Sequence, residues 1–256
     1  MLELLINILT PEKLVSQASG KKVLELLDSI YPDFSPEKYG SYEPLRQIYD
    51  AKHPEKALEI WGKAFLWKRK NPRVEGTIWP AWGPRLTHTW LTLSIEARKA
   101  DNQKIADFLQ QASVSLDADF AFAHILTEFD ITRGNSNGTI FCLDPIKKRF
   151  SLTVTTKELL KYIPDIYWAT VFGQPYVQHF GRDKILSAPA HIVRELNNGS
   201  IYLQISESPL DLVTEPAYLD LVRQAIKNHL NQDSFFDAAK PLDHIYSTPK
   251  FELGAD

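Results

Sequence analysis

Cys142 is the only cysteine among 256 residues, so neither an internal disulfide nor a zinc site built on several thiolates can hold this fold. Stability has to come from burying apolar surface, and a chain of this length can build one large core or two small ones. Hydrophobic residues make up 44% of the sequence and charged residues 24%, so a packed globular body is expected rather than disorder. The pattern of those residues then sets the fold class.

The first seventy residues read mainly as helices. Val23, Leu24, Leu26, Leu27, Ile30 and Tyr31 recur at helical spacing until Pro32 stops them. Strand character follows over Ala64 to Lys68, over Thr77 to Trp82 with a break at Pro80, and over Thr87 to Ile95. In the last of these Leu91, Leu93 and Ile95 share one face, while His88, Trp90, Thr92 and Ser94 share the other. Ile105, Phe108, Leu109, Ala112 and Leu116 predict an amphipathic helix capped by Asp101 or Asn102, and Phe120 to Leu126 a buried strand.

Arg133 to Gly138 resembles a linker, and a hairpin around Asp144-Pro145 is expected beyond it. Thr155 or Thr156 caps a further helix, Ile166 to Phe172 reads as a central strand, and Pro175 opens a short helix. Asn198-Gly199 predicts a two-residue hairpin loop that sets Leu196 opposite Ile201, Arg194 opposite Leu203 and Ile192 opposite Ile205. In that register Arg194 must reach solvent at the sheet edge or find an acid. A last helix from Glu215 to Leu230 presents Tyr218, Leu221, Val222, Ala225, Ile226 and His229 as its apolar stripe. The expected class is α+β: a mixed, mostly antiparallel sheet with packed helices in a single domain over 1–256. Its halves, 1–134 and 135–256, form a strand–helix–strand pseudo-repeat.

No phosphate-cradling glycine loop and no G-x-S-x-G elbow occurs, and the seven histidines form no metal-ligand spacing. No catalytic residue, metal or cofactor is therefore expected. A net charge of −3 argues against nucleic acid as a partner. The N-terminal run is apolar but carries Glu3, no preceding base and no small-residue cleavage site, and no stretch nears the ~20 apolar residues of a membrane helix. The cytoplasm is the expected location, without membrane association.

Trp61, Trp67, Trp79, Trp82 and Trp90 crowd one region with Arg69, Arg73 and Arg85 interleaved. Trp and Arg dominate interface hot spots, whereas the plainer reading places these tryptophans in a core. Trp79, Trp82, Arg85 and Trp90 are the candidate partner-binding residues, with His179 and Arg182 at the mouth between the halves.

The segment Pro164-Asp165-Ile166-Tyr167-Trp168-Ala169-Thr170-Val171-Phe172-Gly173-Gln174-Pro175-Tyr176-Val177 is followed by Phe180-Gly181-Arg182, Leu186-Ser187-Ala188-Pro189-Ala190 and Tyr202-Leu203-Gln204. Together with Asp117 to Thr127, these stretches resemble bacterial immunity proteins of polymorphic toxin systems, in particular the Immunity protein 52 family, over about half of the chain. The resemblance implies a non-enzymatic protein that binds and neutralises a cognate toxin by occlusion. Two other readings stay open. One is a small-molecule or peptide module around Trp79, Trp82, Trp90 and Tyr167; the other is an enzyme using His88, His179 or Arg182.

Overall fold

The computed structural model describes residues 2–80, 87–133, 140–144 and 149–253. The chain opens on β1 (Glu3–Thr10), α1 (Gln17–Glu25) with a π-helical extension over Leu26–Ile30, β2 (Lys38–Gly40), β3 (Gln47–Ile48) and α2 (Glu55–Leu58). It continues through β4 (Phe65–Arg69), β5 (Val74–Trp79), β6 (Thr89–Glu96), α3 (Asn102–Ser115), β7 (Phe120–Ile125) and α4 (Glu128–Arg133). The remainder is β8 (Ile140–Asp144), β9 (Arg149–Leu152), α5 (Thr156–Leu159), β10 (Ala169–Phe172), α6 (Gln174–Phe180), α7 (Arg182–Leu186), β11 (Ile192–Glu195), β12 (Ile201–Gln204), α8 (Asp211–Thr214) and α9 (Pro216–Leu230).

The class is α+β. A ten-stranded antiparallel sheet runs in the order β11-β12-β10-β7-β1-β6-β5-β4-β2-β3, with β8 and β9 paired apart from it. Strands from either side of the 134–139 stretch thus pair directly, β7 with β10. The linker-like stretch itself and the Asp144-Pro145 turn lie largely outside the described residues.

The N-terminal run is no helix. Leu4, Ile6 and Ile8 alternate onto one face of β1, and the strand takes a central place between β6 and β7. Its opposite face carries Leu5, Asn7 and Leu9, so both sides are apolar, which erases the simple alternation expected of a half-exposed strand. β2, β3 and β4 also lie within the first seventy residues, and α1 is the main helix there.

One face of the sheet, with Leu4, Ile6, Ile8, Leu91, Leu93, Ile95, Val74 and Ile78, is sealed by α1 and α3. Asp101 caps α3 as the sequence predicts, and Phe108 of that helix meets Tyr31 and Phe34 edge-on at 4.9 and 5.0 Å. Trp61 and Trp67 belong to this core. Their indole N–H groups donate to the Leu14 and Phe34 carbonyls at 2.7 and 2.9 Å, so neither polar atom is stranded by burial. Gly76 on β5 lies under the Trp67 ring, where no side chain fits.

Among the described residues, the other face is covered over β1, β7, β10 and β12, where Phe120, Phe122 and Phe172 pack with Tyr167, Tyr176 and Phe180. Over β5 and β6 it stays half-exposed, and that uneven cover places the candidate site.

Two readings of this C-terminal half need correction. The hairpin pairs Glu195 with Ile201, Arg194 with Tyr202 and Ile192 with Gln204, one residue away from the expected register. The loop has three residues: Leu196 N–H donates to Ser200 O at 2.8 Å, and Gly199 takes φ 80°, the left-handed residue of such a loop. A one-residue slip exchanges faces. Arg194 nonetheless reaches solvent, because β11 is the sheet edge.

On α9 the buried residues are Leu219, Arg223, Ile226, Lys227 and Leu230, whereas Tyr218 and Leu221 face outward, 60% and 69% exposed. The helix is rotated from the apolar stripe because two buried acids beneath it draw Arg223 and Lys227 inward.

Candidate functional site

Of the candidate partner-binding residues, the four that are described do not form one patch. Trp82 and Arg85 lie outside the described residues. Trp79 and Trp90 are cross-strand partners on β5 and β6, on the sparsely covered face; Trp79 is 47% exposed and Trp90 half-buried. Arg182 sits five strands away, about 24 Å across the sheet at ordinary strand spacing, beside the β11 edge. Its guanidinium grips Glu195 with two bonds of 2.9 and 2.5 Å and reaches Asp183 at 3.0 Å, so its donors are already engaged. His179 is half-buried on α6 with Nε2 3.0 Å from Ser234 Oγ. Burial there disfavours the imidazolium and holds its pKa below the usual histidine value.

Trp79, Pro80, Thr87, His88, Trp90, Thr155, Thr156 and Lys157 line a largely apolar cleft of about 470 Å³. Its floor is set by α5. Thr155 caps that helix through a reciprocal box with Glu158, whose carboxylate accepts the Thr155 backbone N–H at 2.9 Å. The cap fixes Thr156 against His88: the His88 backbone N–H donates to Thr156 Oγ1 at 2.8 Å, and ring Nδ1 lies 3.0 Å from the same oxygen. Nε2 is 3.0 Å from Asp119 Oδ2. With a neutral ring, the hydroxyl donates to Nδ1 and Nε2–H donates to the carboxylate.

Sequence alternation places His88 with Trp90 as an exposed candidate, but the structure buries it at 1% exposure, with Phe251 edge-on at 5.1 Å. A carboxylate–imidazole–hydroxyl relay has the polarity of an acyl-transfer site. Thr156, however, is 3% exposed, and its hydroxyl is engaged by both backbone and ring of a single histidine. The relay therefore acts as a pin that ties β6, the start of β7 and α5 into a rigid cleft floor.

Lys157 also lines a second, larger basin of about 780 Å³, walled by Leu160, Lys161, Tyr162, Phe236, Leu242, Ile245 and Tyr246. Tyr162, Phe236 and Tyr246 cluster there in tilted and edge-on contacts, with ring centroids 4.9 to 6.5 Å apart. The lip sets exposed apolar side chains among charged ones such as Lys161, Asp237 and Asp243: Leu160 is 55% exposed, Ile245 88% and Leu242 fully exposed. Asp233, Lys240 and His244 close on themselves, the histidine Nε2 lying 2.8 Å from the Asp233 carboxylate. Lys157 and Lys161 make no ion pair among the described residues and are exposed. Two adjoining clefts thus share one lysine and form one face around α5.

Sequence reasoning pointed to the Trp79–Trp90 pair and missed the α5 side. Leu160, Leu242 and Ile245 are scattered in sequence with no periodicity, so only the fold gathers them. It also missed a buried ionic cluster behind the site. Arg223 Nη1 bridges Asp130 Oδ1 at 2.9 Å and Asp165 Oδ2 at 3.2 Å, Lys227 Nζ meets Asp165 Oδ1 at 2.5 Å, and His124 Nε2 lies 3.3 Å from Asp130 Oδ2. The Trp168 backbone N–H donates to His124 Nδ1 at 3.3 Å, which leaves the ring proton on Nε2 for Asp130. Burial works against the charge on both acids, but His124 and Arg223 beside Asp130, and Lys227 and Arg223 beside Asp165, hold both carboxyls below the usual range. The signal available was Arg223 and Lys227 themselves: like charges four residues apart on one helical stripe repel unless acids face them.

Among the described residues no three His, Cys, Asp or Glu side chains are grouped to hold a metal, and no helix is long and apolar enough to cross a membrane. No protein-family model matches this sequence, and no curated protein matches it.

Proposed function

We propose that this chain is an immunity-type binding protein that neutralises a cognate bacterial toxin in the cytoplasm by covering part of its surface. The observation that carries the reading is the α5-centred face, where Trp79, Leu160, Leu242 and Ile245 stand exposed around two adjoining clefts. Apolar side chains grouped in this way mark interaction surfaces, whereas singly scattered ones do not. The pinned floor supports the same reading, since a rigid surface loses little entropy on docking. Lys157 and Lys161, which make no ion pair among the described residues, add two cations at the rim, suited to carboxylates on the partner. The resemblance of residues 164–177 to immunity proteins supplies the partner class, and those residues read as scaffold, since 164–173 and Tyr176 are buried.

Co-expression with the product of the adjacent open reading frame tests the proposal. Relief of that product's toxicity by the wild-type chain supports it, and undiminished toxicity overturns it. Trp79→Ala and Leu242→Asp should each weaken the purified complex by about 2 kcal/mol, roughly thirtyfold, in calorimetric titration.

A further inference from the structure

The sheet face beneath α3, opposite to the face that carries Trp79 and Trp90, ends in a polar corner. Two rows of cross-strand partners lead to it: Ile6, Ala123, Ala169, Gln204 and Ile192 in one, Ile8, Ala121, Val171, Tyr202 and Arg194 in the other. Both rows are apolar on β1, β7 and β10 and turn polar on β12. Tyr202 is 1% exposed and Gln204 6%, so each needs a partner, and each has one. The Tyr202 hydroxyl donates to Gln204 Oε1 at 2.5 Å, and Gln204 Nε2 donates to Ser206 O at 2.6 Å. The two side chains form the fixed floor of a cavity of about 120 Å³ between α3 and the β11–β12 hairpin.

The groups around that floor are not satisfied in the same way. Gln110 of α3 is 9% exposed and commits its Nε2 to the Ala106 carbonyl at 3.0 Å, while its Oε1 meets no donor among the described residues. Arg194 from β11 and Glu207 from the stretch after β12 line the same cavity, and neither makes an ion pair among the described residues. Exposure alone does not impose this, since Arg182 at the same sheet edge is paired with Glu195. Arg194 faces Tyr202, whereas the Glu207 backbone adjoins the Gln204 amide. Cation and anion therefore stand toward opposite ends of a floor two residues, about 7 Å, long.

We propose that this cavity binds a small free α-amino acid. The Arg194 guanidinium takes its carboxylate through paired N–H···O bonds, and its ammonium donates to the Glu207 carboxylate and to Gln110 Oε1. A simple anion would meet Glu207 and a simple cation Arg194, so only a ligand carrying both signs is matched at both ends. The cavity is far smaller than the about 300–1,000 Å³ of drug-sized ligand sites, which limits the ligand to the size of glycine, alanine or serine.

Calorimetric titration of the purified full chain with glycine, L-alanine and L-serine, each up to about 10 mM, reaches dissociation constants near 1 mM. One-to-one binding should appear together with a shift of the Gln110 side-chain amide resonance. Propionate, which lacks the ammonium, and L-alaninamide, which lacks the carboxylate, should each bind more than tenfold more weakly than L-alanine. Arg194→Gln and Glu207→Gln should each lower affinity for L-alanine more than tenfold at an unchanged melting temperature, because both side chains are exposed. No binding of the three amino acids overturns the proposal, as does binding indifferent to Arg194→Gln. Propionate bound as tightly as L-alanine would mean recognition of an anion only and would also overturn it.

Discussion

Replacing Arg223 by Met keeps most of its buried stem and removes only the guanidinium that bridges Asp130 and Asp165. Arg223 is 2% exposed, so no water can replace the lost donors cheaply. Removing one partner of a buried ion pair costs about 3–5 kcal/mol, chiefly from the charge left behind. Urea unfolding should therefore shift to a midpoint about 1.5 M lower at pH 7, for a slope in the usual range of about 1–3 kcal/mol/M. The penalty should also depend on pH in a definite direction. In the wild type both carboxyls are held below their unfolded values, so their contribution is complete above the unfolded carboxyl pKa and is lost as pH falls toward the folded one. Without Arg223 the folded carboxyls rise, and protonation relieves the stranded charge. The gap between wild type and variant should then close steadily between about pH 5 and pH 2. Adding Asp165→Asn to the variant should recover part of the loss, with a coupling above about 1 kcal/mol in the double-mutant cycle. A deficit below about 1 kcal/mol at pH 7, or one that stays constant down to pH 3, would refute the reasoning.

Other substitutions examine separate parts of the fold. Gly76→Ala places a methyl inside the space of the Trp67 ring and should cost about 1–3 kcal/mol, with a changed tryptophan emission spectrum. Thr156→Val removes the acceptor of the buried His88 N–H at constant shape and should lower stability by about 1–3 kcal/mol in thermal unfolding. Thr155→Ala removes the α5 cap for about 1 kcal/mol and should speed amide exchange over residues 157–160.

How far the sequence reveals this fold depends on where each segment's partners lie. α3 is legible throughout, since its Asp101 cap and its Ile105, Phe108, Leu109 and Ala112 stripe are local features that tertiary context did not override. β6 is legible for the same reason: one of its faces is buried and the other half-exposed, so alternation survives. β1 is not, because both of its faces are apolar and a run such as Leu4-Leu5-Ile6 carries no period. The β11–β12 register failed by one residue through loop length, since Asn197-Asn198-Gly199 supports a three-residue loop as readily as the shorter one assumed. His88 shows the limit of alternation for a site. Its face is correctly read as that of Trp90, but the sheet is covered above His88 and open above Trp90, and only packing tells them apart.

α9 joins these threads. Its sequence stripe of Tyr218, Leu221 and Ala225 is a proper amphipathic signal, yet the helix turns that stripe outward. Rolling it back would strand Arg223 and Lys227 in water, leave Asp165 buried without countercharge and leave Asp130 with His124 and Thr127 alone. Each stranded acid would cost several kcal/mol. Burying Tyr218 and Leu221 in exchange would return about 1.5–3 kcal/mol apiece. Two acids together outweigh two apolar side chains, so ionic pairing fixes the helix's rotation and leaves an apolar surface free. Asp130→Asn with Asp165→Asn removes the reason for that rotation and should lower stability, and a double variant that unfolds at the wild-type urea midpoint would argue that the rotation has some other cause.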